Sequence, residues 1–130
     1  MRQIFVSVMA LTVLTVFTVY ADKHFGQTQK IINITAQEVQ QLLKGQSDIV
    51  LLDVRTKAEY TGALGHIEGS ILIPLQELSA RNAELLPYKD KRIIVYCRSG
   101  NRSRLAVKIL MGQGYDVVNM LGGMLTWNKL

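Results

Sequence analysis

Apolar residues fall along this chain in two alternating rhythms. Short runs at 31–34, 49–52, 71–73, 93–96 and 117–120, broken only by Asn33 and Asn119, are rich in Ile, Val and Leu. Such runs suit strands buried on both faces of a parallel sheet. Between them the apolar positions spread to helical intervals: Val39, Leu42 and Leu43, then Leu105, Ala106, Ile109 and Leu110, then Leu125 and Trp127. Start and stop signals frame these segments. Thr35 with Glu38, and Thr56 with Glu59, each form a capping box whose hydroxyl and carboxylate satisfy backbone N–H groups left free at a helix start. Gly45 supplies a stop for the first helix, Pro74 ends the strand at 71–73, and Pro87 stops a helix over 75–86. A glycine-punctuated turn spans 62–69, Gly114 leads the helix over 102–113 into the last strand, and Gly122-Gly123 open a final amphipathic segment. Strands alternating with helices through 31–130 predict one α/β domain built on a parallel sheet flanked by helices.

The first thirty residues follow another pattern. After Arg2, residues 4–20 carry no charge and are mostly Val, Leu, Ile, Phe and Thr. Val19 and Ala21 then occupy the two positions that an export peptidase inspects, just before Asp22. This predicts a signal peptide over 1–21, cut after Ala21, and a polar tether over 22–30. The alternative is retention of 4–20 as an N-terminal membrane anchor, although the run is shorter than the roughly 20 residues a span needs. Either way the domain is expected outside the cytoplasm, in the periplasm or an equivalent compartment, and meets the membrane only if the segment is retained.

Composition narrows the function classes. A chain of 130 residues has room for one sizeable core. Its formal charge of +5 is scattered, with no basic stripe interleaved with aromatics, so nucleic acid is not an expected partner. Two histidines, His24 and His66, and one cysteine are too few for a zinc site.

That cysteine, Cys97, has no intrachain partner although an exported protein meets disulfide-permissive surroundings. It is a reactive nucleophile, a buried inert thiol or a link between two chains. Its setting favours the first. Cys97 directly follows the strand at 93–96 and opens the run Cys97-Arg98-Ser99-Gly100-Asn101-Arg102-Ser103, which leads into a helix. A thiol there faces backbone N–H groups, the positive end of a helix dipole and two guanidinium groups, all favouring the thiolate. It also lies beyond the carboxyl end of a strand, where open parallel sheets bind their ligands.

Four separated segments carry a family resemblance. They are Asp53-Val54-Arg55 with Glu59-Tyr60; Gly65-His66-Ile67-Glu68-Gly69-Ser70 with Ile73-Pro74; the loop from Cys97 to Ser103; and Leu121-Gly122-Gly123 with Trp127. In this order they resemble a single-domain rhodanese, of the sulfurtransferase superfamily, over about residues 31–130; the Tyr60-to-Gly65 interval is slightly longer than the commonest family pattern. The resemblance implies a rhodanese-like α/β fold, with a central parallel sheet of about five strands and helices on both faces. It implies that the Cys97 thiolate takes the sulfane sulfur of a small anionic donor such as thiosulfate, releases sulfite and holds a persulfide. Cyanide or a thiol then accepts the sulfur, with a protein as a further candidate acceptor. Arg98, Ser99, Gly100, Asn101, Arg102 and Ser103 would bind the substrate, the backbone N–H groups forming the cradle. Arg98 and Arg102 would meet the sulfonate, unless one turns inward to pin the loop. Asp53 and Arg55 would be an ion pair bracing that loop. His66 reads as a hydrogen bonder within its turn, Trp127 as core and Ser103 as a helix cap. No metal or organic cofactor is implied.

Two rivals follow from the same residues. Related cysteine-loop phosphatases and arsenate reductases place one residue more between cysteine and arginine than the four, Arg98 to Asn101, found here. The shorter loop makes a smaller cradle, suited to a sulfane sulfur rather than a tetrahedral phosphate. Rhodanese-like domains also serve as binding modules or as persulfide carriers for a protein partner. The retained cysteine, glycine and both arginines speak for chemistry without separating carrier from enzyme.

Overall fold

Alternation along each strand sorts the apolar side chains onto two faces of one sheet. Val50 and Leu52, Ile93 and Val95, and Val117 pack into one buried cluster; Leu51, Ile94, Tyr96 and Val118 pack into another on the opposite face. The computed structural model that shows this describes Val13, Thr15, Val16 and residues 29–45 and 48–130. The chain divides into two units, Met1–Lys30 and Ile31–Leu130. In the first, Val13, Thr15 and Val16 are helical; the rest of the expected signal peptide, its cleavage point and most of the tether lie outside the described residues. Among the described residues no helix is long and apolar enough to cross a membrane.

The second unit is an α/β layer structure. Its elements are β1 (Asn33–Ile34), α1 (Ala36–Lys44), β2 (Ile49–Asp53), α2 (Lys57–Tyr60), β3 (Ile71–Leu72), α3 (Leu78–Arg81), β4 (Arg92–Tyr96), α4 (Asn101–Gly112), β5 (Val117–Met120) and α5 (Gly123–Trp127). The five strands are all parallel in the order β1-β5-β4-β2-β3, so β4 is central. Ala106, Val107 and Leu110 of α4, with Leu78 and Leu85, cover one face; Ala36 and Val39 of α1 and Met124 of α5 cover the other. Helices on both faces follow from parallel connections, which must cross over the sheet.

Both capping boxes form. The Thr35 and Thr56 N–H groups donate to the Glu38 and Glu59 carboxylates at 2.7 and 3.1 Å, and each Glu N–H donates back to the threonine hydroxyl. Other local expectations change. The segment over 75–86 is no continuous helix: a 3-10 turn at Leu75–Glu77, the single turn α3 and a 3-10 segment at Asn82–Tyr88 replace it. Pro87 lies inside the last piece instead of stopping it. Tighter 3-10 winding brings Leu75 and Leu78 to one side, and Leu78 and Leu85 end fully buried. Gly45 ends α1 with φ −77°, without using its left-handed freedom. Leu105, placed by spacing on the buried stripe of α4, is exposed, and Val107 takes its place.

Candidate active site

β4 carries Cys97 to the middle of the sheet's carboxyl edge. Cys97 continues the alternation of Ile93 and Val95 and belongs to the same buried cluster, so its side chain is only 1% exposed. The loop after it must reverse tightly into α4. Gly100 takes the left-handed φ of +105° needed for that reversal, and its N–H donates to Cys97 Sγ at 3.1 Å.

The next helix fixes the loop from outside. Met124 N–H donates to the Cys97 carbonyl at 2.9 Å and Leu125 N–H to the Arg98 carbonyl at 3.0 Å. With these carbonyls turned to the start of α5, loop N–H groups face the sulfur. The contact is close enough to demand glycine: a Cβ on Gly123 would lie 2.4 Å from the Cys97 carbonyl oxygen and 2.6 Å from that of Arg98. Resemblance singled out Gly123, but its physical reason comes from this contact between elements distant in sequence.

The sulfur is poised between opposing influences. Burial pushes the Cys97 thiol up, while the Ser103 hydroxyl and the N–H groups of Ser103, Gly100 and Ser99 pull it down; the net result is below the ordinary thiol value. Ser103 is no helix cap. Gly100 occupies the N-cap of α4, and the buried Ser103 Oγ sits 3.5 Å from Cys97 Sγ.

The two loop arginines take different positions. Arg102 forks onto Glu59 through two bonds of 2.7 and 2.6 Å, tying α4 to α2. The Arg102 hydrogen bonds outweigh partial burial and hold the Glu59 carboxyl at about 2, with Thr56 helping. Arg102 is thereby raised above its ordinary range, and the Cys97 charge adds to that rise, so its cation still acts on the sulfur. Of the alternatives, Arg102 takes the inward, loop-pinning one. Arg98 is exposed and lines a cleft of about 470 Å³ with Ala58, Glu59, Ala63 and Leu64. Ser99 and Asn101 are exposed, Asn101 beginning α4.

Asp53 and Arg55 form a wholly buried ion pair at 2.6 Å. Arg55 also donates to the carbonyls of Glu59 (3.3 Å) and Gly65 (2.7 Å). The pair therefore braces the turn that carries Glu59, and reaches the cysteine loop through the Glu59–Arg102 bridge. His66 stacks on Tyr60 and has Nδ1 2.9 Å from the Tyr60 carbonyl, while Trp127 packs against the buried cluster beneath α5. Two site residues escaped sequence reasoning. Glu59 was visible as part of a capping box and of the first resembling segment, but not as the partner of Arg102. Asn119, which touches Ser103, signalled itself only as a polar residue inside the apolar run 117–120.

Comparison with known proteins agrees with this architecture. Residues 35–130 match the family model described as Rhodanese-like domain. The chain is 38% identical over 97 residues to a sulfurtransferase of Allochromatium vinosum, covering 74% of this chain and 87% of that protein. Against the thiosulfate sulfurtransferase PspE of Escherichia coli it is 38% identical over 73 residues, 56% of this chain and 68% of the other. The crystal structure of a rhodanese-like domain protein from Staphylococcus aureus matches with a TM-score of 0.68 at 31% identity, covering 75% of this chain and 91% of that one.

Proposed function

The chain belongs to the rhodanese-like domain family, and on that basis we propose that it is an exported sulfurtransferase moving sulfane sulfur from thiosulfate, or a like anionic donor, to a thiophilic acceptor through a persulfide on Cys97. Sulfur transfer in general agrees with its sulfurtransferase relatives. One observation carries the finer reading: a buried cysteine with a loop N–H 3.1 Å from its sulfur, in a loop whose first carbonyls are bound elsewhere.

In the first half-reaction the Cys97 thiolate attacks the outer sulfur of thiosulfate. A new S–S bond forms to Cys97, the bond to the sulfonate breaks, and sulfite departs with the electron pair. The outer sulfur of the persulfide carries the negative charge. In the second, cyanide or a thiolate attacks that outer sulfur, and Cys97 leaves as thiolate. Both steps concentrate negative charge where the loop N–H groups and the Arg102 cation favour it. Exposed Arg98 offers a second cation for the sulfonate, and the cleft it lines gives room for an acceptor larger than cyanide.

The test is thiocyanate formation from thiosulfate and cyanide, expected with wild type and absent with Cys97→Ala. Turnover persisting in that variant would overturn the assignment of the nucleophile. Export rests on the charge-free run 4–20 and on Val19 and Ala21 before Asp22. Protein recovered from an exporting host should begin at Asp22; an uncut chain confined to the cytoplasm would contradict it.

A further inference from the structure

A polar chain runs behind the sulfur through otherwise apolar packing. Ser103 Oγ lies 3.5 Å from Cys97 Sγ, 3.1 Å from the Gly100 carbonyl and 2.6 Å from Asn119 Oδ1. Asn119, on β5, donates from Nδ2 to Asn33 Oδ1 at 2.9 Å. Ser103 and Asn119 are buried, whereas Asn33, on the edge strand β1, is exposed. Asn119 has no contact with the sulfur among its hydrogen bonds, so any effect on chemistry passes through Ser103.

A serine hydroxyl has one hydrogen and two lone pairs. Three acceptors surround this hydroxyl, and the shortest contact is to Asn119. While the hydrogen points there, Oγ offers the sulfur only lone pairs, which suits an S–H thiol donating to it. A thiolate needs the opposite arrangement, with Ser103 donating to sulfur. Giving the hydrogen to the sulfur deprives Asn119 Oδ1 of its donor inside a buried site, where an unpaired carbonyl is unfavourable. Asn33 Oδ1 accepts from Nδ2, and that pairing leaves the Asn119 carbonyl facing Ser103.

We propose that Asn119 is a positioning residue for the sulfur chemistry: held by Asn33, its carbonyl competes with Cys97 for the Ser103 hydrogen, so that the hydroxyl favours the thiolate less than it would alone and the thiol stays less acidic than the loop by itself would make it. A persulfide site gains from such a brake. Cys97 must first act as a nucleophile and later leave as a thiolate, and lowering a thiol's pKa weakens the first ability while improving the second. That consequence rests on the persulfide reading; the acidity of Cys97 does not. The charged groups about the sulfur are Arg98 and Arg102 of the loop and α4, Glu59 of α2, and the Asp53–Arg55 pair at the end of β2. α5 brings none.

The experiment is the pH dependence of Cys97 alkylation by iodoacetamide in the full chain, followed by mass spectrometry, which requires no sulfur transfer. Asn119→Leu, of similar volume but with no acceptor, should lower the apparent pKa by about half a unit, raising the reactive fraction roughly threefold at pH values below it. Asn119→Asp keeps the acceptor and should not lower it. In a Ser103→Ala background, adding Asn119→Leu should change nothing. If a buried variant fails to fold, the surface position answers the same question. Asn33→Ala unpins the amide and should shift the midpoint downward by a smaller step, while Asn33→Asp, which only accepts, retains the wild-type value. An unchanged midpoint in both Asn119→Leu and Asn33→Ala, equal downward shifts in the Leu and Asp variants at 119, or a shift surviving Ser103→Ala would overturn the proposal.

Discussion

The acidity of Cys97 is set by competition between burial and donors within one short loop. Burial alone would make it an inert thiol, and the Ser103 hydroxyl with the N–H groups of Ser103, Gly100 and Ser99 reverses that. Its folded-state pKa is depressed, so the alkylation midpoint should lie below that of the unfolded chain in denaturant; an equal or higher midpoint would remove the loop's role. Replacing Cys97 by Ser exchanges one atom in a site whose shape is set by backbone contacts. Sulfur transfer should vanish while the unfolding free energy changes by no more than about 1 kcal/mol, as read by denaturant titration. At this scale the sequence was most legible where chemistry is local. The cysteine, its glycine and its flanking arginines sit in one run. The work of Ser103 was not legible, because its shortest partner, Asn119, comes from β5 and meets it only in the folded chain.

The loop is held between two elements, α2 through Glu59 and α5 through Gly123. Gly123→Ala would drive a Cβ into the Cys97 and Arg98 carbonyls and force an unfavourable positive φ of +53°. Stability should fall by about 1–3 kcal/mol, and transfer should fall about tenfold or more because the carbonyls that orient the loop must move. Near-wild-type activity in that variant would show that α5 does not shape the cradle. The Glu59–Arg102 bridge makes a separate prediction about acid. The Glu59 carboxyl is held at about 2 in the fold, below its ordinary 4.5. Its contribution is therefore complete above the ordinary value and fades as pH falls toward 2. The stability gap between wild type and Glu59→Gln should be widest near neutrality and narrow through that window; a gap independent of pH would mean the bridge contributes nothing. Element boundaries were legible where capping boxes mark them. The segment after Pro74 was not, since apolar spacing alone does not distinguish one helix from a 3-10, α and 3-10 succession.

Across the whole domain, strand order places the chemistry. With β4 central, its carboxyl end opens between the β5–α5 side and the β2–α2 side, and each supplies a restraint on the cysteine loop. Alternating apolar runs and helical spacings were enough to predict a parallel, helix-flanked sheet, because burial on both faces leaves strands few polar positions. Asn33 and Asn119 are the exceptions within such runs, and Asn119 lies beside the site. Under the proposed function the domain stores sulfur on Cys97. Intact-protein mass spectrometry of wild type and Cys97→Ser after exposure to thiosulfate, followed by cyanide, tests it most directly. Wild type alone should gain one sulfur atom, which cyanide then removes as thiocyanate forms. A folded, reduced wild-type protein that gains no sulfur, or equal gain on both proteins, would contradict it.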